Sequence, residues 1–178
     1  GKSTLIQLIP RFYDVTGGRV LINGVDVRQM NSHELREHIG FVAQKANLFS
    51  GTIEENIRFG REDATDEEVR HAAEIAQAMD FIMDKPNGFQ EKIVEGAGNL
   101  SGGQKQRLSI TRALVRKPDI YIYDDSFSAL DMKTDAVLRQ ALKSEVKNAV
   151  VIIVAQRVST IMDADQILVL DEGRLAAM

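Results

Sequence analysis

Short apolar runs alternate along this chain with stretches of helical periodicity, an alternation that predicts a βαβα order. Leu5-Ile6-Gln7-Leu8-Ile9 is an apolar helical segment directly after Gly1-Lys2-Ser3-Thr4. Between Arg19 and Val27, apolar residues flank Asn23-Gly24, the strongest short hairpin signal, so an antiparallel β piece is expected near the start. Ile39 to Ala43 reads as a strand ending at Gln44. Thr65-Asp66-Glu67-Glu68 is a capping box opening a helix with Val69, Ala72, Ala73, Ala76 and Met79 on one face, extending to about Met83. A second helix follows Ser101-Gly102-Gly103 and stops before Pro118. Ile120 to Tyr123, Val150 to Val154 and Ile167 to Leu170 are short apolar runs of the kind that form strands buried on both faces. The prediction is an α/β fold: a mostly parallel sheet flanked by helices, a small antiparallel β piece, and a helical insertion at approximately 65–115. Ligands in such folds bind at the carboxyl ends of the strands.

Composition narrows this picture. At 178 residues and 44% hydrophobic content the chain has enough apolar material for one core. The net charge of -4, with both signs interspersed, gives no electrostatic footprint for nucleic acid. Without cysteine there is neither a disulfide framework nor a thiolate metal site. The longest apolar stretch, Ala149 to Ala155, is far short of the roughly 20 residues that cross a bilayer, and a signal-peptide pattern is missing, so the chain as given is expected to be soluble.

Candidate chemistry begins at the first residue. Gly1-Lys2-Ser3-Thr4 before a helix matches the end of a phosphate-binding loop, G-x-x-x-x-G-K-[ST]. There the lysine reaches the β- and γ-phosphates, the next hydroxyl holds Mg²⁺, and the helix amino terminus favours anions. Taken alone, the four residues also fit an ordinary helix start. Leu100-Ser101-Gly102-Gly103-Gln104 is far more specific, recurring by chance at about one in 10⁶ positions. Its glycines permit close backbone approach, Ser101 offers a hydroxyl, and the helix dipole points at an anion, so it reads as a second phosphate-facing surface. Ile120-Tyr121-Ile122-Tyr123-Asp124-Asp125 delivers two carboxylates to the end of a strand, as a magnesium–phosphate site needs. Ser128-Ala129-Leu130-Asp131 follows, and Gln44 ends the earlier strand where a polar side chain could reach the metal.

With these motifs in this order, the chain resembles the ATP-binding cassette (ABC) ATPases over essentially its whole length. The resemblance identifies Gly1, Lys2, Ser3 and Thr4 as the end of the Walker A loop of a P-loop NTPase fold and Gln44 as the Q-loop. Leu100 to Gln104 become the signature, Asp124 the Walker B aspartate, and Ser128 to Asp131 the D-loop. It implies ATP and Mg²⁺ as ligands, with Ser3, Gln44 and Asp124 serving the metal. Phe49 to Ile57, just after Gln44, resembles the exporter branch, in which this surface meets the membrane domains. In that family the nucleotide lies between two nucleotide-binding domains, each giving its signature to the other's site. The chain is then expected to be cut inside the phosphate-binding loop and at its carboxyl end, and to bind ATP poorly in isolation.

Two positions depart from the family pattern. Asp125 stands where the family carries a catalytic glutamate, and is shorter by one carbon–carbon bond of about 1.5 Å. Gln156 stands where the family carries a switch histidine, and cannot titrate near neutral pH. Both changes fall around the terminal phosphate while the phosphate lysine, metal aspartate and signature remain. Binding retained with turnover impaired is the pattern of the degenerate half of a heterodimeric exporter. The expected function is therefore ATP binding and participation in hydrolysis that drives export, at the cytoplasmic face of a membrane. The partners would be a second nucleotide-binding domain with an intact Glu/His site and transmembrane domains, without nucleic acid. Two alternatives stand beside it: a non-hydrolytic ATP clamp, and a soluble ABC ATPase of DNA repair or translation.

Overall fold

The computed structural model describes residues 1–178. In chain order the elements are α1 (Lys2–Gln7), β1 (Leu21–Ile22), β2 (Val25–Asp26), α2 (Ser32–Glu37), β3 (Ile39–Val42), β4 (Gly51–Thr52), α3 (Ile53–Arg58), α4 (Asp66–Ile75), α5 (Met79–Met83) and β5 (Lys92–Ile93). There follow α6 (Gly102–Arg116), β6 (Ile120–Asp124), α7 (Met132–Glu145), β7 (Val150–Val154), α8 (Val158–Ile161), β8 (Val169–Asp171) and β9 (Arg174–Ala177).

A three-stranded parallel sheet in the order β3-β6-β7 organises the rest. The central strand β6 is buried, and its alternating side chains feed two cores. Tyr121 and Tyr123 face the larger one, with Ile53 and Ile57 of α3, Val69, Ala72 and Ala73 of α4, and Leu108 and Leu114 of α6. Ile122 faces the smaller one, with Ile6 of α1, Leu35 of α2, Ile39 and Val154. Helices thus cover both faces, as expected for a parallel sheet. Gly40 of β3 admits the end of α6, since a Cβ there would lie 2.8 Å from the Pro118 ring.

Local signals explain the element boundaries. Asn23 and Gly24 both take positive φ (49° and 79°) and close an antiparallel hairpin between β1 and β2. Thr52, Thr65 and Ser101 each form a reciprocal capping box with the side chain three residues on. Lys117 ends α6 in the left-handed conformation just before Pro118, which cannot continue the helix.

Two expectations need correction. The helix predicted from Thr65 to about Met83 is broken: α4 stops at Ile75, Gln77 takes φ +57°, and α5 starts at Met79. The Ala78 N–H reaches back to the Ala73 carbonyl at 2.8 Å, and the Gln77 amide caps the Glu74 carbonyl at 3.0 Å, so the break satisfies its own polar groups. The last two apolar runs do not form strands buried on both faces. Val150 and Val151 of β7 are exposed, and β8 pairs only with β9 through the Glu172-Gly173 turn, forming a separate antiparallel hairpin.

Candidate functional site

Because β3, β6 and β7 run parallel, their carboxyl ends bring Gln44, Asp124, Asp125 and Gln156 to one edge, with the start of α1 beside them. Ser3 Oγ donates to Asp124 Oδ1 at 2.9 Å across 121 residues of sequence. One oxygen of Asp125, Oδ2, accepts from Gln44 Nε2 at 3.2 Å and from Gln156 Nε2 at 3.3 Å. Three segments far apart in sequence therefore share one carboxylate. Lys2, which precedes Ser3 in α1, is exposed and has no ion-pair partner. Gly1 is the backbone N-cap of α1 without a side-chain cap, and Thr4 is exposed on its first turn.

The turn that presents Asp125 is strongly constrained. Its φ is +49°, a region in which aspartate is commoner than most non-glycine residues. Its N–H donates to the Val154 carbonyl at 2.8 Å, and its own carbonyl accepts from Ser128 Oγ at 2.9 Å. The next residue, Ser126, is fully buried and donates its hydroxyl to the Val42 carbonyl at 2.8 Å. From the other side, Gln106 of α6, 2% exposed, donates Nε2 to the Ala43 carbonyl at 3.0 Å. Ser126 and Gln106 thus hold the exit of β3 and with it Gln44. Sequence reasoning missed both, although a glutamine on the apolar face of α6 is a visible signal.

Ser3 and Asp124 offer Mg²⁺ a hydroxyl and a carboxylate, hard oxygen donors of the type it prefers. Gln44 spends its NH₂ on Asp125 and keeps its amide oxygen as an acceptor. No three His, Cys, Asp or Glu residues cluster as a self-sufficient metal cage. That suits Mg²⁺, which usually keeps waters and shares phosphate oxygens.

The residues Leu100, Ser101, Gly102, Gly103 and Gln104 lie apart from this cluster, with no hydrogen bond to it. Leu100 is buried in the larger core. Ser101 Oγ accepts from the Gln104 N–H at 3.2 Å, while Gln104 Oε1 accepts from the Ser101 N–H at 3.0 Å. Gly102 meets open space, and a Cβ at Gly103 would come within 3.2 Å of the Ala129 carbonyl. The close glycine contact is therefore with the Ser128 to Asp131 loop of the same chain. In that loop Leu130 is buried, and Asp131 caps α7 through the Thr134 N–H at 2.9 Å. Hydrogen bonds from the Thr134 side chain and backbone hold the Asp131 carboxyl below its usual range.

A second polar node lies under the Phe49 to Ile57 segment. Asn56 is 3% exposed and clasps both the N–H and the carbonyl of Phe49. Arg112 of α6 donates to the Asn56 carbonyl at 2.8 Å and the Asn47 carbonyl at 2.9 Å. Its guanidinium lies 5.1 Å from the ring centre of Phe49 and 5.8 Å from that of Phe59. Both rings are exposed and 4.7 Å apart.

Residues 1–128 match the family described as ABC transporter, and the chain belongs to that family. It is 49% identical over 98% of its length to Staphylococcus aureus (strain NCTC 8325 / PS 47) and Staphylococcus aureus (strain Mu50 / ATCC 700699) proteins named for multidrug export as ATP-binding/permease proteins. Among solved structures it is similar to a bacterial Atm1-family ABC exporter with ATP bound, at 42% identity and a TM-score of 0.95 over 99% of this chain. The chain spans about 30% of the length of the curated relatives it matches and 31% of that exporter. The fold is thus that of an ABC ATP-binding domain, in a family that supports ATPase activity generally.

Proposed function

We propose that this chain is the ATP-binding domain of an ABC exporter and that its own nucleotide site binds ATP but turns it over poorly. The observation that carries this reading is the Asp125 carboxylate, held by two amide donors at 3.2 and 3.3 Å. A general base at this place needs a free, well-placed carboxylate oxygen and a neighbour that can take up charge. Asp125 is short, one of its oxygens is engaged twice, and neither neighbouring amide titrates near neutral pH.

In this reading Lys2 neutralises the β- and γ-phosphates, and the α1 amino terminus with Gly1 and Thr4 receives them. Ser3, Asp124 and the Gln44 amide oxygen serve Mg²⁺, which supplies charge compensation when bound. Asp125 and Gln156 border the terminal phosphate as weak substitutes. Ser101 to Gln104 and the Ser128 to Asp131 loop lie on the face toward a second nucleotide-binding domain, where the signature completes the other site in trans. Within one chain Ser101 and Gln104 hydrogen-bond each other and not the Asp125 cluster, which supports that division. Residues at approximately 65–115 act as a helical unit inserted into one ATP-binding domain. The exposed Phe49–Phe59 face, braced by Arg112, meets the transmembrane domains at the cytoplasmic side of a membrane. Partner domains with an intact Glu/His site provide most of the turnover.

Photoaffinity labelling of the assembled transporter with radiolabelled 8-azido-ATP after a few turnovers tests this. Triphosphate is expected on this subunit and diphosphate on the other. Diphosphate on both at equal rates would overturn the impaired-site reading, and a non-hydrolytic clamp would leave triphosphate on both.

A further inference from the structure

Helix α7 carries a buried carboxylate that the chemistry above does not use. Asp135 is 3% exposed. Its Oδ1 accepts from Arg139 Nε at 2.8 Å, and its Oδ2 faces Arg157 Nη1 at 3.9 Å. Each guanidinium then ties down a different segment through a backbone carbonyl. Arg157 Nη2 donates to the Ser128 carbonyl at 3.1 Å, and Arg139 Nη1 donates to the Ser159 carbonyl at 3.1 Å.

These ties matter because the Gln156–Ser159 segment has little else to place it. Gln156, Arg157, Val158 and Ser159 are all exposed, and the first buried residue after them is Thr160. Ser128 in turn donates its hydroxyl to the Asp125 carbonyl. A closed path therefore runs from Asp125 through Ser128, Arg157 and back to Gln156, whose amide returns to Asp125. Asp135 is the only carboxylate that ion-pairs with either guanidinium. Without it Arg139 and Arg157 would each lose the one carboxylate they ion-pair with, and the bracket would open. Only arginine offers a planar fork that can address a carboxylate and a carbonyl at once.

We propose that Asp135 is a positioning residue for the nucleotide site: through Arg157 and Arg139 it fixes the Gln156–Ser159 segment against the Ser128–Asp131 loop. This rests on the reading that Asp125 and Gln156 border the terminal phosphate. Phosphate affinity depends chiefly on Lys2 and α1, which the bracket does not touch, so the effect belongs in kcat and not in KM.

The test is steady-state ATPase kinetics of the assembled full-length transporter, with the catalytic glutamate of the second nucleotide-binding domain changed to glutamine so that the residual turnover reads this subunit's site, carrying Asp135→Asn, Arg157→Lys or both. Each single change is expected to lower kcat about tenfold, as a displacement below about 1 Å does, with KM for ATP within about twofold. The double variant should be no slower than the slower single variant, because both break one bracket. Should Asp135→Asn fail to assemble, Arg157→Lys decides, since that side chain is 42% exposed and is not needed for packing. Unchanged kcat in Arg157→Lys, multiplicative losses in the double variant, or a rise in KM that accounts for the loss would each overturn the proposal. Labelling of the wild-type subunit by 8-azido-ATP separates the two layers. If it is labelled and kcat is unmoved, only the positioning proposal falls; if it is never labelled, the nucleotide-site reading falls as well.

Discussion

The two halves of the candidate site are built differently. At the α1 side, Lys2 is unpaired and exposed, and Ser3 meets Asp124 in one 2.9 Å hydrogen bond that opens readily to a cation. At the β7 side, Asp125 sits in a strained turn and its carboxylate is shared by Gln44 and Gln156. The first half is poised to receive charge; the second is already satisfied by neutral donors. Under the proposed function, retention of ligand and turnover of ligand depend on different residues and can be lost separately.

The largest expected effect lies in the first half. Lys2→Ala should weaken ATP labelling of this subunit about 10- to 100-fold, the equivalent of about 1.5–3 kcal/mol for hydrogen bonds to a charged group. Equilibrium photolabelling at graded ATP concentrations measures it, and undiminished labelling would erase the contrast between the halves. In the second half, Asp125→Glu alone should recover little hydrolysis at this site. Adding Gln156→His should recover more than the sum of the single changes, because residues acting as a unit are non-additive. The double variant should also acquire a pH limb near the ordinary histidine range of about 6.5, absent from the parent, visible in single-turnover rates between pH 5.5 and 8.

A smaller effect tests whether the core under the site is separate from its chemistry. The Tyr123 hydroxyl is fully buried without a hydrogen-bond partner, and burial pushes its pKa far above the usual value. Tyr123→Phe should raise unfolding stability by about 1 kcal/mol in denaturant titration with ATP labelling unchanged. Least of all, Glu68 lies away from both halves, and its carboxyl is held down to about 2 by Lys117, the Thr65 N–H and Arg61. A depressed folded-state pKa gives stability present above the ordinary value and lost as pH falls from about 4.5 toward 2. Glu68→Gln should flatten that part of the stability–pH profile by lowering stability slightly at neutral pH and leaving the acid end nearly unchanged.

The hairpin at Asn23-Gly24, the capped starts at Thr65 and Ser101, and the strands carrying Gln44 and Asp124 were legible because local turn and cap chemistry decides them. The break at Gln77 was not, since it depends on a left-handed residue stabilised by its own side chain. Exposure of β7 and β8 was equally hidden, because an apolar run does not say how many neighbours a strand will have. Motif order placed the site residues near one another in principle. It did not show that Asp125, Gln44 and Gln156 share one hydrogen-bonded carboxylate, nor that Gln106, Ser126 and Asp135 support them. The contacts of Gln156, Gln106, Gln44 and Ser126 span 31 to 84 residues, and no local pattern encodes them.

The most direct measurement is ATPase turnover of the assembled transporter with the catalytic glutamate of the second nucleotide-binding domain changed to glutamine and this subunit left unmodified. With the Asp125–Gln156 site as the only one left to hydrolyse ATP, turnover should fall about 10²-fold or more, in keeping with the cost of a misplaced catalytic group. Near-normal turnover in that background would show that Asp125 and Gln156 are competent as they stand, and would contradict the account.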